Sequence, residues 1–109
     1  MSINRHEGLK KPDLRLINKA LAMVSGKWRL YIILLLGEQT LRYTQLSELL
    51  PGISEKVLAG ELKALVALGV MKRKAYAEMP PRVEYKLSKK GRLALPILSQ
   101  IQDIGQLFN

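Results

Sequence analysis

The residues of this chain able to do chemistry are its cations, and their spacing suits binding rather than catalysis. Eighteen lysines and arginines stand against nine acidic residues, giving a net charge of +9 and a pI of about 10. A surplus that large points to a polyanion: DNA, RNA or an anionic membrane surface. It does not specify a fold. Lys56 and Lys63 lie seven residues apart, two helical turns, so a helix through them presents both on one face. Gly60 lies between them and Ala59 at the edge, so that face carries almost no side chain besides the two cations. Such a face suits the DNA major groove. Either the backbone comes close to the DNA, or much of the specificity is read through DNA shape. Arg42, with Thr44 and Gln45 at the start of another helix, makes a phosphate clamp with that helix's free N–H groups. Ser54 opens the helix that carries Lys56. Lys74, Arg82 and Lys86 belong to a later basic segment, and all eleven of these residues are candidates for DNA contact.

The other chemistries find no support. There are no cysteines, which excludes disulfides, thiolate catalysis and cysteine-based metal sites. The single histidine, His6, sits in a polar leader, where a solvated side chain is expected. No pair of carboxylates, no nucleophile with a base and no phosphate-binding glycine loop stands in a suitable context. The reading is therefore not an enzyme, with no cofactor and no metal. The longest apolar run, residues 30–36, is far shorter than the roughly 20 residues that span a bilayer. The N-terminus has no apolar signal-peptide core. No membrane partner and a cytoplasmic location are the default expectations.

Positioning the cations requires a helix-turn-helix over residues 44–69. Its first helix is expected from Thr44, as N-cap, to Leu50, with Leu46, Leu49 and Leu50 on its apolar face. Pro51 and Gly52 stop it: proline cannot continue a helix, and glycine tolerates a sharp corner. Ser54 caps a second helix that ends near Gly69, cored by Leu58, Leu62 and Leu65. A plain helical hairpin gives a similar pattern, so the segment after Gly69 has to separate the two. There the period changes. Residues 70–77 mix β-branched, aromatic and basic side chains, and residues 83–87 alternate, with Val83, Tyr85 and Leu87 on one side. Between them, Pro80 and Pro81 stiffen a tip and place Arg82 beside it. The expectation is a two-stranded basic wing over residues 70–87. Arg82 at its tip would reach the flanking backbone or the minor groove, or else pair with Glu84 for the sake of the fold.

The remaining elements frame this unit. Residues 1–12 read as a loosely held arm. A helix follows, capped by Asp13 and ended by Ser25-Gly26, with Leu14, Ile17, Leu21 and Val24 on one face. Residues 27–36 are apolar nearly all round after the first turn, and form the centre of the core, with Trp28 near the start. Lys27 and Arg29 are either phosphate contacts or a solvated helix end. Residues 38–43 are a connection anchored by Leu41. Ser88 caps a last helix whose apolar residues exceed what so small a domain can bury. Residues 1–30 carry seven basic and two acidic side chains, and residues 70–92 carry eight and two. The fold class is thus α+β, mainly α: one winged helix-turn-helix domain over residues 1–109. Its extra terminal helices, residues 1–24 with the arm and 88–108, are read as dimerisation helices. Leu14, Ile17, Leu21, Leu98, Ile101, Ile104, Leu107 and Phe108 are the expected homodimer contacts.

Three segments carry a family resemblance: SGKWRLYIILLL, RYTQLSELLPGISEKVLAGELKALVALGVMKRK and PPRVEYKLSKKG. Together they resemble the HxlR-type winged-helix transcriptional regulators of bacteria and archaea, within the wider MarR-like group. The resemblance covers about residues 15–98. Its specific pieces are the Gly26-Lys27-Trp28 triplet, the Pro51-Gly52-Ile53-Ser54 turn, and the run Pro80-Pro81-Arg82-Val83-Glu84-Tyr85 followed by Leu87-Ser88 and Gly91. It implies a homodimer on a pseudo-palindromic operator of double-stranded DNA, with both terminal helices building the dimer. Many such regulators sense oxidants through a cysteine just before the N-terminal helix. Alignment on the Gly26-Lys27-Trp28 triplet puts Arg15 there, so thiol sensing does not carry over, and any small-molecule effector is unknown. Two other readings compete: a non-sequence-specific architectural DNA binder, and a winged-helix module that binds protein. The charge of +6 over residues 70–92 argues against the second.

Overall fold

Alternating helical and strand periods in the sequence become five helices and three strands in the computed structural model, which describes residues 10–109. Most of the expected N-terminal arm, with His6, lies outside the described residues. Helix α1 spans Leu14–Val24, where the Asp13 carboxylate accepts the Leu16 N–H at 3.1 Å. Such a cap satisfies one of the orphan donors at a helix start. Arg15 lies in its first turn. Helix α2 spans Arg29–Leu36, two residues later than expected, with Trp28 in the N-cap position. It is the core helix: Ile32, Ile33 and Leu36 have no exposed surface. Gly37 ends it at a φ of 53°, a conformation that glycine adopts without a Cβ penalty.

The helix-turn-helix is α3 (Tyr43–Leu49) and α4 (Glu55–Ala67). The N-cap of α3 is Arg42, two residues before the expected Thr44, which is instead the second helical residue. Gln45 accounts for the shift: as the third helical residue its Oε1 accepts the Arg42 N–H at 2.8 Å, which sets the helix start at Arg42. Helix α4 begins as expected, with Ser54 Oγ accepting the Val57 N–H at 3.1 Å. Leu58, Leu62 and Leu65 are fully buried along one seam. Gly52 has no left-handed backbone to support; a Cβ there would lie in ordinary contact, 3.4 Å from the Trp28 ring.

The wing is not a free two-stranded ribbon. Strands β2 (Met71–Tyr76) and β3 (Arg82–Leu87) pair antiparallel, and β1 (Leu41–Arg42) adds to the other side of β3, giving the order β1-β3-β2. Leu41 opposes Tyr85 and Arg42 opposes Glu84. The expected connection over residues 38–43 thus holds a strand. A lone hairpin is marginal in water, and a third strand with a buried face stabilises it. Helix α5 (Lys89–Leu107) follows, capped by Ser88, whose Oγ accepts the Gly91 N–H at 3.1 Å and donates to the Gly69 carbonyl at 2.6 Å. It runs on through Pro96. Its first turn seats tightly on the chain leaving α4, since a Cβ on Gly91 would collide with the Val70 carbonyl.

Candidate nucleic-acid interface

Helix α4 is buried along one seam and open on the opposite face. Its buried seam of Leu58, Leu62 and Leu65 fixes the opposite face outward, and on that face stand Lys56, Gly60 and Lys63, all exposed, with exposed Ala59 at the edge. Its N-terminus is pinned to α3 through Glu55. The Tyr43 hydroxyl donates to Glu55 Oε2 and the Ser47 hydroxyl to Oε1, both at 2.9 Å. Partial burial, then the hydrogen bond to Glu55 and its negative charge, hold the Tyr43 phenol above its ordinary pKa. These two bonds fix the angle between the helices, and so where Lys56 points.

On the wing side, the register separates the cations onto two faces. Successive strand residues point to opposite sides of a sheet. Met71, Arg73 and Ala75 therefore share the core-facing side with their partners Leu87, Tyr85 and Val83. Lys72, Lys74, Lys86 and Glu84 share the outer side. The structure brings Arg73 beside α4, where Ala59, Lys63, Val66, Arg73 and Tyr85 line a groove of about 350 Å³. Two cations stand along this groove, and Ala59 and the Tyr85 ring leave it open. The sequence reading missed Arg73. The signal was present: strand alternation from Met71 puts residue 73 on the recognition-helix side. Lys74 and Lys86, which the reading did choose, lie on the far face of the ribbon. Lys74 stands 5.0 Å over the Tyr76 ring and opposite Glu84.

Arg82 is not a free cation at a tip. It is the first residue of β3, with a side chain only 24% exposed. Its guanidinium stacks 3.9 Å over the Tyr76 ring, with Nη2 3.3 Å from Glu78 and Nε 3.3 Å from Glu84. The Nε–H is not aligned for a hydrogen bond, so the contact with Glu84 is ionic. Two carboxylates and an aromatic face hold it at the root of the tip, the fold-keeping alternative raised for it from sequence. Across from it, Arg42, Thr44, Pro80 and Pro81 help line a cleft of about 460 Å³ between α3 and the wing tip. Arg42 is exposed there and has no carboxylate partner among the described residues. Gln45 and Ser54 keep their side-chain oxygens on helix starts. Arg29 is neither a phosphate contact nor a solvated end. It pairs with Glu61 of α4 and donates to the Ala22 carbonyl.

The terminal helices carry the exposed apolar surface. In α1, Leu14, Leu16, Ile17 and Leu21 are all exposed, and no residue of that helix is fully buried. In α5, Leu93, Ile97, Ile101, Ile104, Leu107 and Phe108 are exposed. Leu98 is not among them: at 8% exposure it belongs to the chain's own core, packed with α2. It turns inward because it stands on the same side as Ala94 and Gly91, one and two turns earlier. Leu16, Leu93 and Ile97 replace it as exposed candidates. Among the described residues, no helix is long and apolar enough to cross a membrane, and no cluster of three metal-ligating side chains occurs.

Known proteins share this arrangement. The family model described as HxlR-like helix-turn-helix matches residues 23–109. An uncharacterized HTH-type transcriptional regulator of Halalkalibacterium halodurans is 42% identical over 86 residues, 78% of this chain and 76% of that protein. A crystal structure described as a MarR-family transcriptional regulator from Porphyromonas gingivalis W83 superposes with a TM-score of 0.79 at 41% identity. The match covers 90% of this chain and 97% of that one. The redox regulator HypR in its oxidized form superposes with a TM-score of 0.75 at 28% identity, covering 84% and 94%.

Proposed function

The chain belongs to the HxlR-like helix-turn-helix family, and from this premise we propose that it regulates transcription as a homodimer on a pseudo-palindromic operator. Each α4 enters a major groove, where Lys56 and Lys63 meet base edges or phosphates. Gly60 and Ala59 let the helix backbone come close. Arg73 and Lys63 grip the phosphate strand that runs between helix and wing, and Arg42 with the start of α3 holds a neighbouring phosphate. The wing lies over the flanking DNA, with Arg82 keeping its tip in shape. A regulator of this kind works where the DNA is, in the cytoplasm. Thiol redox control has no residue to act through in this chain, which lacks cysteine.

The observation that carries this reading is the open face of α4: two lysines flank a bare glycine, opposite a fully buried leucine seam, beside a groove with a further arginine. The test is selection of random duplexes on the purified chain, followed by competition binding. The expected result is a two-fold symmetric motif preferred over bulk DNA by about a thousandfold or more. Equal affinity for all duplexes would instead identify an architectural DNA binder.

A further inference from the structure

One guanidinium joins the partner-seeking helix to the DNA-reading helix. Arg29 is the first residue of α2. Its Nη1 donates to the Ala22 carbonyl at 2.7 Å, and its Nε and Nη2 lie 3.3–3.4 Å from the Glu61 carboxylate. Ala22 is in the last turn of α1, where carbonyls have no partner inside the helix. Glu61 is midway along α4, on the flank between its buried seam and its outer face. Both charged side chains are about a fifth exposed, at 21% and 22%. Gly26, at a φ of 83°, carries the chain around this contact with no side chain of its own beside Glu61.

The rest of α1 is weakly held. No residue of it is fully buried; Met23 and Val24 at its end pack on the core, while Leu14, Leu16, Ile17 and Leu21 face outward. The end of α1 is therefore where its direction relative to α4 is decided. In a two-fold dimer, the distance between recognition helices follows from the angle each makes with its dimer helix. Half-site spacing on the DNA is the reading of that distance. We infer that Arg29 is a positioning residue that fixes the operator's half-site spacing by tying α1, through Ala22, to α4, through Glu61. This rests on the homodimer and operator reading above. Arginine suits the task because its planar fork reaches two acceptors in different directions from one rigid group; lysine offers a single point charge. Glu61 stands away from the Lys56–Lys63 face, so the pair bears on spacing and not on base identity.

The test uses the full chain and the operator selected on it, with duplexes whose half-sites are moved closer or further by one base pair. The parent is expected to lose about tenfold or more in affinity per one-base-pair shift. Arg29→Met and Glu61→Met should still bind and still select the parent's half-site bases, but with spacing discrimination reduced to about threefold or less on the same scale. Arg29→Lys should fall between. Lys56→Ala is the control: it weakens binding and keeps the spacing preference. A merely structural Arg29 would lower the melting temperature of Arg29→Met and leave spacing discrimination at the parent's value, and that overturns the inference. Should Arg29→Met fail to fold, Glu61→Met decides, since it keeps about the same length and the Ala22 contact while offering Arg29 no oxygen acceptor; unchanged discrimination there overturns it too. If selection on the parent yields single half-sites or no motif, the operator reading falls and this inference with it. A motif with paired half-sites and unaltered spacing in the variants removes the inference alone.

Discussion

Gly60 separates the needs of the fold from the needs of a ligand. It stands mid-helix on the outer face of α4, where glycine costs about 1 kcal/mol relative to alanine. Nothing lies within 4 Å of the position a Cβ would occupy, so no neighbour in the chain demands glycine. Gly60→Ala should therefore stabilise the fold by about 0.5–1 kcal/mol, read as a higher melting temperature. If DNA comes up to the backbone there, the same methyl group should weaken operator binding by about 1–3 kcal/mol, roughly 5- to 150-fold. A variant both more stable and equally tight in binding would leave the glycine without a DNA role. The cations were less legible from sequence than this glycine. Lys56 and Lys63 could be placed because a buried leucine seam fixes a helix's outer face. Arg82 could not, because its position depends on the Tyr76 ring at the end of β2 and on Glu78 in the tip, which the hairpin brings to it. Arg73 stands among lysines on either side, and strand alternation from Met71, which the pairing with Leu87 and Tyr85 bears out, assigns it to the α4 side. Arg29 was opaque for the same reason as Arg82, since its carboxylate partner lies 32 residues away.

At the scale of elements, local signals were read well and nonlocal ones poorly. The caps Asp13, Ser54 and Ser88 open their helices where the sequence placed them, because a cap is a contact within three residues. Strand β1 escaped notice because two residues carry no period; its existence depends on β3, over 40 residues on. The N-cap of α3 lies at Arg42, two residues before Thr44, because the Gln45 side chain closes the helix start on the Arg42 N–H. Two glycines in the resemblance illustrate the same divide and give a paired prediction. Gly52 reads as the obligatory corner of the turn, yet its backbone is not left-handed and a Cβ there would only touch Trp28. Gly91 reads as an ordinary helical residue, yet a Cβ on it would collide with the Val70 carbonyl, which is backbone and cannot turn aside. Gly91→Ala should therefore destabilise by about 1–3 kcal/mol through overpacking. Gly52→Ala should remain within about 0.5 kcal/mol of the parent. Urea unfolding of both variants checks this, and the reverse order would mean that α5 can slide on Val70 more easily than the turn can accept a methyl group.

The whole molecule leaves one need unmet, a cover for its apolar termini, and the same need bears on how it meets DNA. Leu93, Ile97, Ile101, Ile104 and Phe108 recur at intervals of four, four, three and four residues, which sets them along one exposed stripe of α5. With the outward leucines and isoleucine of α1 they offer a surface that a second copy can cover, and closed two-fold dimers are the commonest way such surfaces are buried. Because Ile97 and Ile104 take no part in the chain's own core, Ile97→Glu with Ile104→Glu should leave the fold intact and abolish the dimer. Sedimentation at micromolar concentration should show a dimer for the parent and a monomer for the variant. The consequence for DNA follows from counterion release. Each phosphate neutralised contributes about 0.9 to the log–log slope of affinity against salt, so five or more contacts give a slope near −4 to −5 or steeper. A dimer gathers the cations of two subunits on one operator, whereas the monomeric variant engages one half-site. Its slope should therefore fall to about half the parent's, on top of a large loss of affinity. A monomeric variant that kept the parent's full slope would mean that one subunit supplies all the phosphate contacts. A parent with a flat salt dependence would mean that the net charge of +9 is not directed at a polyanion at all.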